Sequence, residues 1–425
     1  MKLMPAKAIT SLAAAAALVA AVSPGTAMAA GVTLTGPTHG VTLQFMIASS
    51  GTAETNADKA AAAAWSKASG NKVNVINSSN LQEQLTEAFA GGSPPDVFYG
   101  ETPMFQSMVK QGQLLDSGNL IYPAKDFYPS LVKEFSYGGQ FYCVPKDSST
   151  LAIEINVQDW KAAGLTNADL PTTWAKLAAD AKALTRNGVT GLVMSPTLDR
   201  IGAFFKEAGG SYTNPQGTKF TFNSPQNLEA MKYLQSMLKA GTLKWSSQVD
   251  AGWGGEAFGL GKAAMTVEGN WIIGAMQSDY PKIQYEVVPM PAGPSGDHGT
   301  LVFTNCWGIA SASKYTKAAV SFVKYLASPA QQLRFANAFG VMPSRPPVAK
   351  EWAAEHAKQT VASGNQYPNV SAFVQGDAYA MPQVSTIGFA TVENNFNNEL
   401  INLASSNPAQ MLDQLQTYSQ ALLQP

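Results

Sequence analysis

Residues 41–47 read VTLQFMI, and the alternation of strand and helix signals that they begin decides the fold. The run is apolar and rich in strand formers. After a short turn, TNADKAAAAAWSKASG (Thr55–Gly70) reads as a helix stopped by glycine. KVNVINS (Lys72–Ser78) alternates as a second strand. Asn80 is placed to cap a helix on which Leu81, Leu85, Ala88 and Phe89 share a face, and Gly91 and Gly92 end it. PDVFYG (Pro95–Gly100) is a third strand. This βαβαβ order predicts an α/β protein with a mostly parallel sheet flanked by helices. Further helices lie downstream. Trp174, Leu177, Ala181 and Leu184 form one stripe, Ser224 and Pro225 open another helix that Gly241 ends, and a last helix starts near Pro408.

The chain has 425 residues, enough for two or three domains at roughly 100–200 residues each. The longest loop signals, PAGPSGDHG (291–299) and PSRPP (343–347), are too short to separate independent domains. Net charge is −1, so there is no basic field for nucleic acid or an acidic membrane. At the start, Lys2 and Lys7 precede a small apolar run, Pro24 and Gly25 break it, and Ala27–Ala29 offer small residues. Residues 1–29 therefore read as a secretory signal peptide. No cysteine lies near the cleavage point, so a soluble, exported protein (periplasmic or extracellular) without a lipid anchor is expected. The only cysteines are Cys143 and Cys306, and their spacing leaves a disulfide and two buried thiols equally open.

Catalytic and metal signals are sparse. His39, His298 and His356 are isolated, and no metal spacing, nucleophile elbow or phosphate loop occurs. No cofactor is expected. Glu101, Asp147 and Glu268 could converge as a carboxylate pair of the kind a glycosidase uses, though nothing in the sequence selects a pair. The aromatics say more. Trp245, Trp253, Trp271 and Trp307 crowd one third of the chain, several in GWGG, GNW and TNCWG contexts where a chain turns. A flat ring beside Asn, Glu and Asp suits a sugar, whose C–H face stacks while its hydroxyls hydrogen-bond.

Five segments then resemble one family in order: GGSPPDVFYGETPMFQSMVKQGQLLD (91–116), GGQFYCVPKDSSTLAIEINVQDWKAAGL (138–165), LPTTWAKLAADAKAL (170–184), FGLGKAAMTVEGNW (258–271) and KAAVSFVKYLASPAQQLRFANAFGVMPSR (317–345). They are similar to the extracellular solute-binding proteins of ABC sugar importers, the maltose-binding-protein-like family. Ile155 stands where that family often has Tyr before Asn156. The resemblance implies a two-lobe periplasmic-binding-protein fold with a ligand cleft at the hinge, lobe one being 30–145 and 306–350, lobe two 146–305 and 351–425. The chain would cross near Val144–Ser149 and return near Val302–Ile309. Those crossings run close together in the family, which implies a Cys143–Cys306 disulfide.

The implied function is an expectation. The protein would bind a sugar without chemistry, close around it and present it to a membrane permease, acting as a monomer. A secreted carbohydrate-active hydrolase and a polyol-phosphate binder are the alternatives. Candidate contacts are Ser49, Ser50, Asn80, Tyr99 and Glu101 at strand ends of lobe one, and Asp147 at the hinge. Trp253, Glu268, Asn270 and Trp271 are expected from lobe two, with Trp307 facing the cleft from the return crossing. Tyr379 is a weaker candidate, and Arg345 is one for an anionic ligand.

Overall fold

The computed structural model describes residues 32–48, 51–214, 218–362 and 370–423, without the side chains of 359–362. The expected signal peptide, and Ser49 and Ser50, lie outside these residues. In chain order the strands are β1 (Thr42–Ile47), β2 (Lys72–Asn77), β3 (Val97–Glu101), β4 (Ser136–Tyr137), β5 (Gln140–Phe141), β6 (Asp147–Asn156), β7 (Thr190–Met194), β8 (Leu243–Trp245), β9 (Ala263–Gly269), β10 (Tyr285–Val288), β11 (Thr300–Phe303), β12 (Asn305–Ile309), β13 (Met342–Pro343) and β14 (Ala380–Met381).

The first three strands form the parallel unit that their periodicity predicts, with β1 between β2 and β3. The helix Thr52–Ser69 joins β1 to β2 and ends where Gly70 turns left-handed at φ 72°. Asn80 caps Leu81–Ala90 by accepting from the Glu83 amide. On the far side of β3, the late strand β12 pairs antiparallel. A core of Phe45, Phe98, Trp307 and Phe322 fills the space against the helices.

The second sheet runs β14-β11-β6-β9-β7-β8, with β10 and β13 also on β6. It is mixed rather than mostly parallel. β6 enters from the first sheet's side, and the strands beside it return toward it, so β9, β10, β11 and β13 all pair with it antiparallel. Alternation along β6 sends Leu151, Ile153 and Ile155 into one helical layer and Ala152 into the opposite one. Trp174, Phe204 and Trp245 belong to the first layer, Phe258, Ile272 and Trp352 to the second.

Two segments pass between the sheets and bond to each other. The Lys146 amide donates to the Asn305 carbonyl at 2.7 Å, and the Trp307 amide to Val144 at 3.1 Å. Further along, Thr150 and Ser149 pair with Val302 and Phe303. Cys143 and Cys306 sit at the first-sheet end of this seam, Cα atoms 5.7 Å apart, and are joined by a disulfide 163 residues apart in sequence. Closing a loop of that length should stabilise the fold by about 5 kcal/mol on a chain-entropy account. Replacing both cysteines by alanine should lower the denaturant midpoint accordingly, and an unchanged midpoint would show that the seam does not need its crosslink.

Candidate functional site

A cavity of about 460 Å³ opens between the two sheets, with the crossing seam as its floor. Gln82 and Glu101 line it from the first sheet's side, Asp147, Thr304 and Asn305 from the seam. Thr197, Asp199, Trp271 and Gln383 line it from the second side, joined by Glu393, Asn394 and Asn397 of the helix Phe389–Leu400. The last group closes on the rest through polar contacts. Asn397 Oδ1 accepts from the Leu198 amide at 2.7 Å, and Gln383 donates to Asp199 at 3.1 Å. Across the cleft, Gln106 donates to Ser385 at 3.0 Å.

Of the residues expected at the site, Glu101, Asp147 and Trp271 line the cavity. The other described ones are placed elsewhere. Asn80 is exposed and serves as a helix cap, while Gln82 in the next turn reaches the cavity. Trp253 begins the helix Gly254–Gly259 and folds its ring onto Gly255. Asn270 is buried. Its amide donates to the Ser148 and Gly340 carbonyls and accepts from the Thr150 amide, pinning β6 and the turn before β13. Glu268 is fully buried and turned away from the cavity toward Arg200. Tyr379 packs near His298, ring centroids 5.6 Å apart. Arg345 is buried on the first-sheet side, bonded to Asp126 and stacked on Tyr122 and Phe127.

Trp307 requires a correction. The family resemblance implies that it faces the cleft, but its ring is fully buried in the first core, 5.3 Å from Tyr99, 5.8 Å from Phe45 and 5.9 Å from Phe335. As the middle residue of β12 it points inward, and its Asn and Gly neighbours reflect a strand hemmed in by packing. Gly308, for instance, has no room for a Cβ beside Phe98. Tyr99 is likewise buried, with its phenol beneath the floor.

That phenol reveals a charge network under the cavity. Tyr99 Oη lies 2.9 Å from Glu54 Oε1 and 2.6 Å from Asp58 Oδ2. A phenol carries one hydrogen, so it can donate to only one of them. The other contact needs a proton on the carboxyl. Lys146 bridges Glu54, at 3.0 Å, and Asp147, and its ammonium also lies 4.9 Å from the Tyr99 ring centroid. Two carboxylates thus share one ammonium, with Asp58 beside them on the same phenol. Burial, followed by the Glu54 charge, pushes Asp58 up to about 8, so Asp58 holds the extra proton. Nearer the opening, burial and then Asp199 push Glu101 up to about 7, and burial and then Asp199 hold Glu393 well above the usual carboxylate range.

The arrangement is a deep cleft between two α/β halves, with polar walls and an aromatic at one side. Residues 15–333 match the family described as bacterial extracellular solute-binding protein. The chain belongs to that family. Among curated relatives of this solute-binding protein, the diacetylchitobiose binding protein DasA of Streptomyces coelicolor is 25% identical over 307 residues, 68% of this chain and 70% of the relative. Among solved structures, Lmo0181 of Listeria monocytogenes in complex with cycloalternan superposes with a TM-score of 0.78 at 20% identity, covering 89% of this chain and 97% of the other. UgpB of Mycobacterium tuberculosis in complex with glycerophosphocholine gives 0.76 at 16% identity, covering 90% and 98%. The two-lobe fold is therefore that of the family, in which the binding protein performs no chemistry. Among the described residues no cluster could hold a metal ion, and no helix is long and apolar enough to cross a membrane.

The buried proton gives a signed prediction. Asp58 binds it more tightly in the folded state than at the ordinary 3.8. Its contribution to stability is therefore full below about pH 4 and is lost as pH rises toward 8. Asp58→Asn keeps the shape and a donor for Tyr99. Urea melts across that range should show the wild type losing up to about 1.4 kcal/mol per pH unit more than the variant. Parallel pH profiles would mean that Asp58 is charged in the native protein.

Proposed function

We propose that the cleft captures a neutral carbohydrate outside the cytoplasm, closes on it about the crossing seam and presents it to an ABC import permease. The observation that carries this reading is the pairing of Trp271 and Phe303 with side-chain amides in one cavity. Gln82, Asn305, Gln383, Asn394 and Asn397 supply donors and acceptors around the two rings. This is the combination a pyranose needs. Amides bind hydroxyls in either direction, and a ring face takes the sugar's C–H side. The names of DasA and of the cycloalternan complex point to oligosaccharide ligands in similar proteins.

The wall charges argue against an anionic ligand. Glu54, Glu101, Asp147, Asp199 and Glu393 line the cavity with Lys146, which is already paired with Glu54 and Asp147. A phosphate would meet carboxylates with no free cation among the described lining residues, so the polyol-phosphate reading is disfavoured even though UgpB shares the fold. The hydrolase reading loses two of its candidate carboxylates, since Asp147 is paired with Lys146 and Glu268 with Arg200. Export as a soluble monomer, released from a signal peptide and without a lipid anchor, completes the proposal.

Binding closes the lobes because the ligand touches both walls only in the closed form. A thermal-shift and calorimetry panel of diacetylchitobiose, maltotriose and glycerol 3-phosphate tests the reading. A neutral oligosaccharide should raise the melting temperature without releasing reducing ends, and Trp271→Ala should weaken it at least about tenfold, or 1.4 kcal/mol. A response to glycerol 3-phosphate alone, or sugar cleavage, would overturn it.

A further inference from the structure

Trp271 lines the cavity, yet its orientation is set from behind. The indole has one polar atom, and Nε1–H donates to Glu268 Oε2 at 3.1 Å. The same oxygen accepts from Arg200 Nη2 at 2.6 Å. The guanidinium then lies against both cavity aromatics, with Cζ 5.2 Å from the Trp271 ring centroid and 6.0 Å from that of Phe303. Those two rings meet edge to face, 5.2 Å apart at 88°. Behind the ring, Gly269 leaves the space a side chain would take, since a Cβ there would come within 2.2 Å of the indole.

We infer that Arg200, anchored by Glu268, is a positioning residue for ligand binding: it fixes the planes of Trp271 and Phe303 at the cavity wall. It is not itself among the residues lining the cavity. Three features support the assignment. The pair is expensive, because Glu268 is fully buried and Arg200 nearly so, and an apolar pair of the same size would cost less to bury. That cost is offset if the pair specifies a geometry that apolar packing would leave loose. The cation is also the flat one. A guanidinium can lie along an indole while donating in its own plane to a carboxylate, which an ammonium cannot do. Finally, the backbone of Glu268 is held as well as its side chain. Glu154 Oε2 accepts the Glu268 backbone amide at 3.1 Å, and burial, then the Glu268 charge, hold the Glu154 carboxyl well above the usual range.

Arg200 also links the ligand wall to the hinge. It lies on the helix Leu198–Glu207, whose first turn carries Asp199 into the cavity, while Phe303 ends β11 on the return crossing. A shift of either element would be felt by the Trp271 ring through one side chain.

The test reads the ring with and without ligand. Protein labelled with 5-fluorotryptophan, with the Trp271 resonance assigned by Trp271→Phe, is compared with Arg200→Lys, Arg200→Ala and Glu268→Gln by fluorine NMR. Arg200→Lys keeps a cation for Glu268 and guards against a loss of folding, which thermal melts monitor. The Trp271 resonance should move or broaden in all three variants while the other tryptophan resonances hold. Diacetylchitobiose affinity should fall at least about tenfold in Arg200→Ala, and this loss should shrink below about twofold in a Trp271→Ala background. An unmoved Trp271 resonance in the folded variants overturns the assignment, as does an equal loss in both backgrounds. The affinity arm rests on the carbohydrate reading. If wild type does not bind the probe, that reading is in question, and the fluorine spectra still decide the role of Arg200.

Discussion

A single ammonium holds the two halves of this protein in register. Lys146 lies on the outgoing crossing, buried, between Glu54 from the first helix and its own neighbour Asp147 at the start of β6. Removing the charge would leave those carboxylates and Asp58 facing one another without compensation, and a buried pair broken on one side typically costs about 3–5 kcal/mol. The disulfide fixes one end of the same seam, and the backbone bonds between residues 144–150 and 302–307 fix the rest. Both sheets hang from it. The cavity exists because the seam is its floor and the halves diverge above it.

The ion network and the ligand site share residues. Glu54, Lys146 and Asp147 both stabilise the seam and line the cavity. Two carboxylates sit against the single ammonium, so they form a polar floor with no spare cation rather than an anion trap. Above them the carboxylates of Glu101, Asp199 and Glu393 have raised proton affinities, which suits hydrogen bonding to hydroxyls from either protonation state. A neutral, hydroxyl-rich solute matches that lining better than a phosphate does.

Much of the fold was legible in local pattern. The βαβαβ opening follows from alternation, the Asn80 cap and the Gly70 stop, all of which are short-range effects. The crossing segments were legible only through family resemblance, and the mixed second sheet was not legible at all, because antiparallel return to β6 is a tertiary outcome. Of the expected contacts, strand-end logic named Glu101, the resemblance placed Asp147 at the hinge and the aromatic argument named Trp271, and these three line the cavity. The sequence reading misplaced Trp307, whose Gly and Asn neighbours look like a turn but belong to a packed strand. It missed Asn394 and Asn397, which a run of polar residues in NNFNNEL hinted at but which only the approach of the helix Phe389–Leu400 brings to the cleft. Arg200 was also missed, because a charge in the first turn of a helix ordinarily reads as solvated surface.

The central claim is that the seam is a hinge over a ligand-binding cleft. Small-angle X-ray scattering of the purified protein, with and without a saturating neutral oligosaccharide identified by calorimetry, tests it most directly. The account predicts a smaller radius of gyration in the bound state, with no change in molecular mass. An identical scattering profile at full saturation would show that the halves do not move about the seam, and would contradict it.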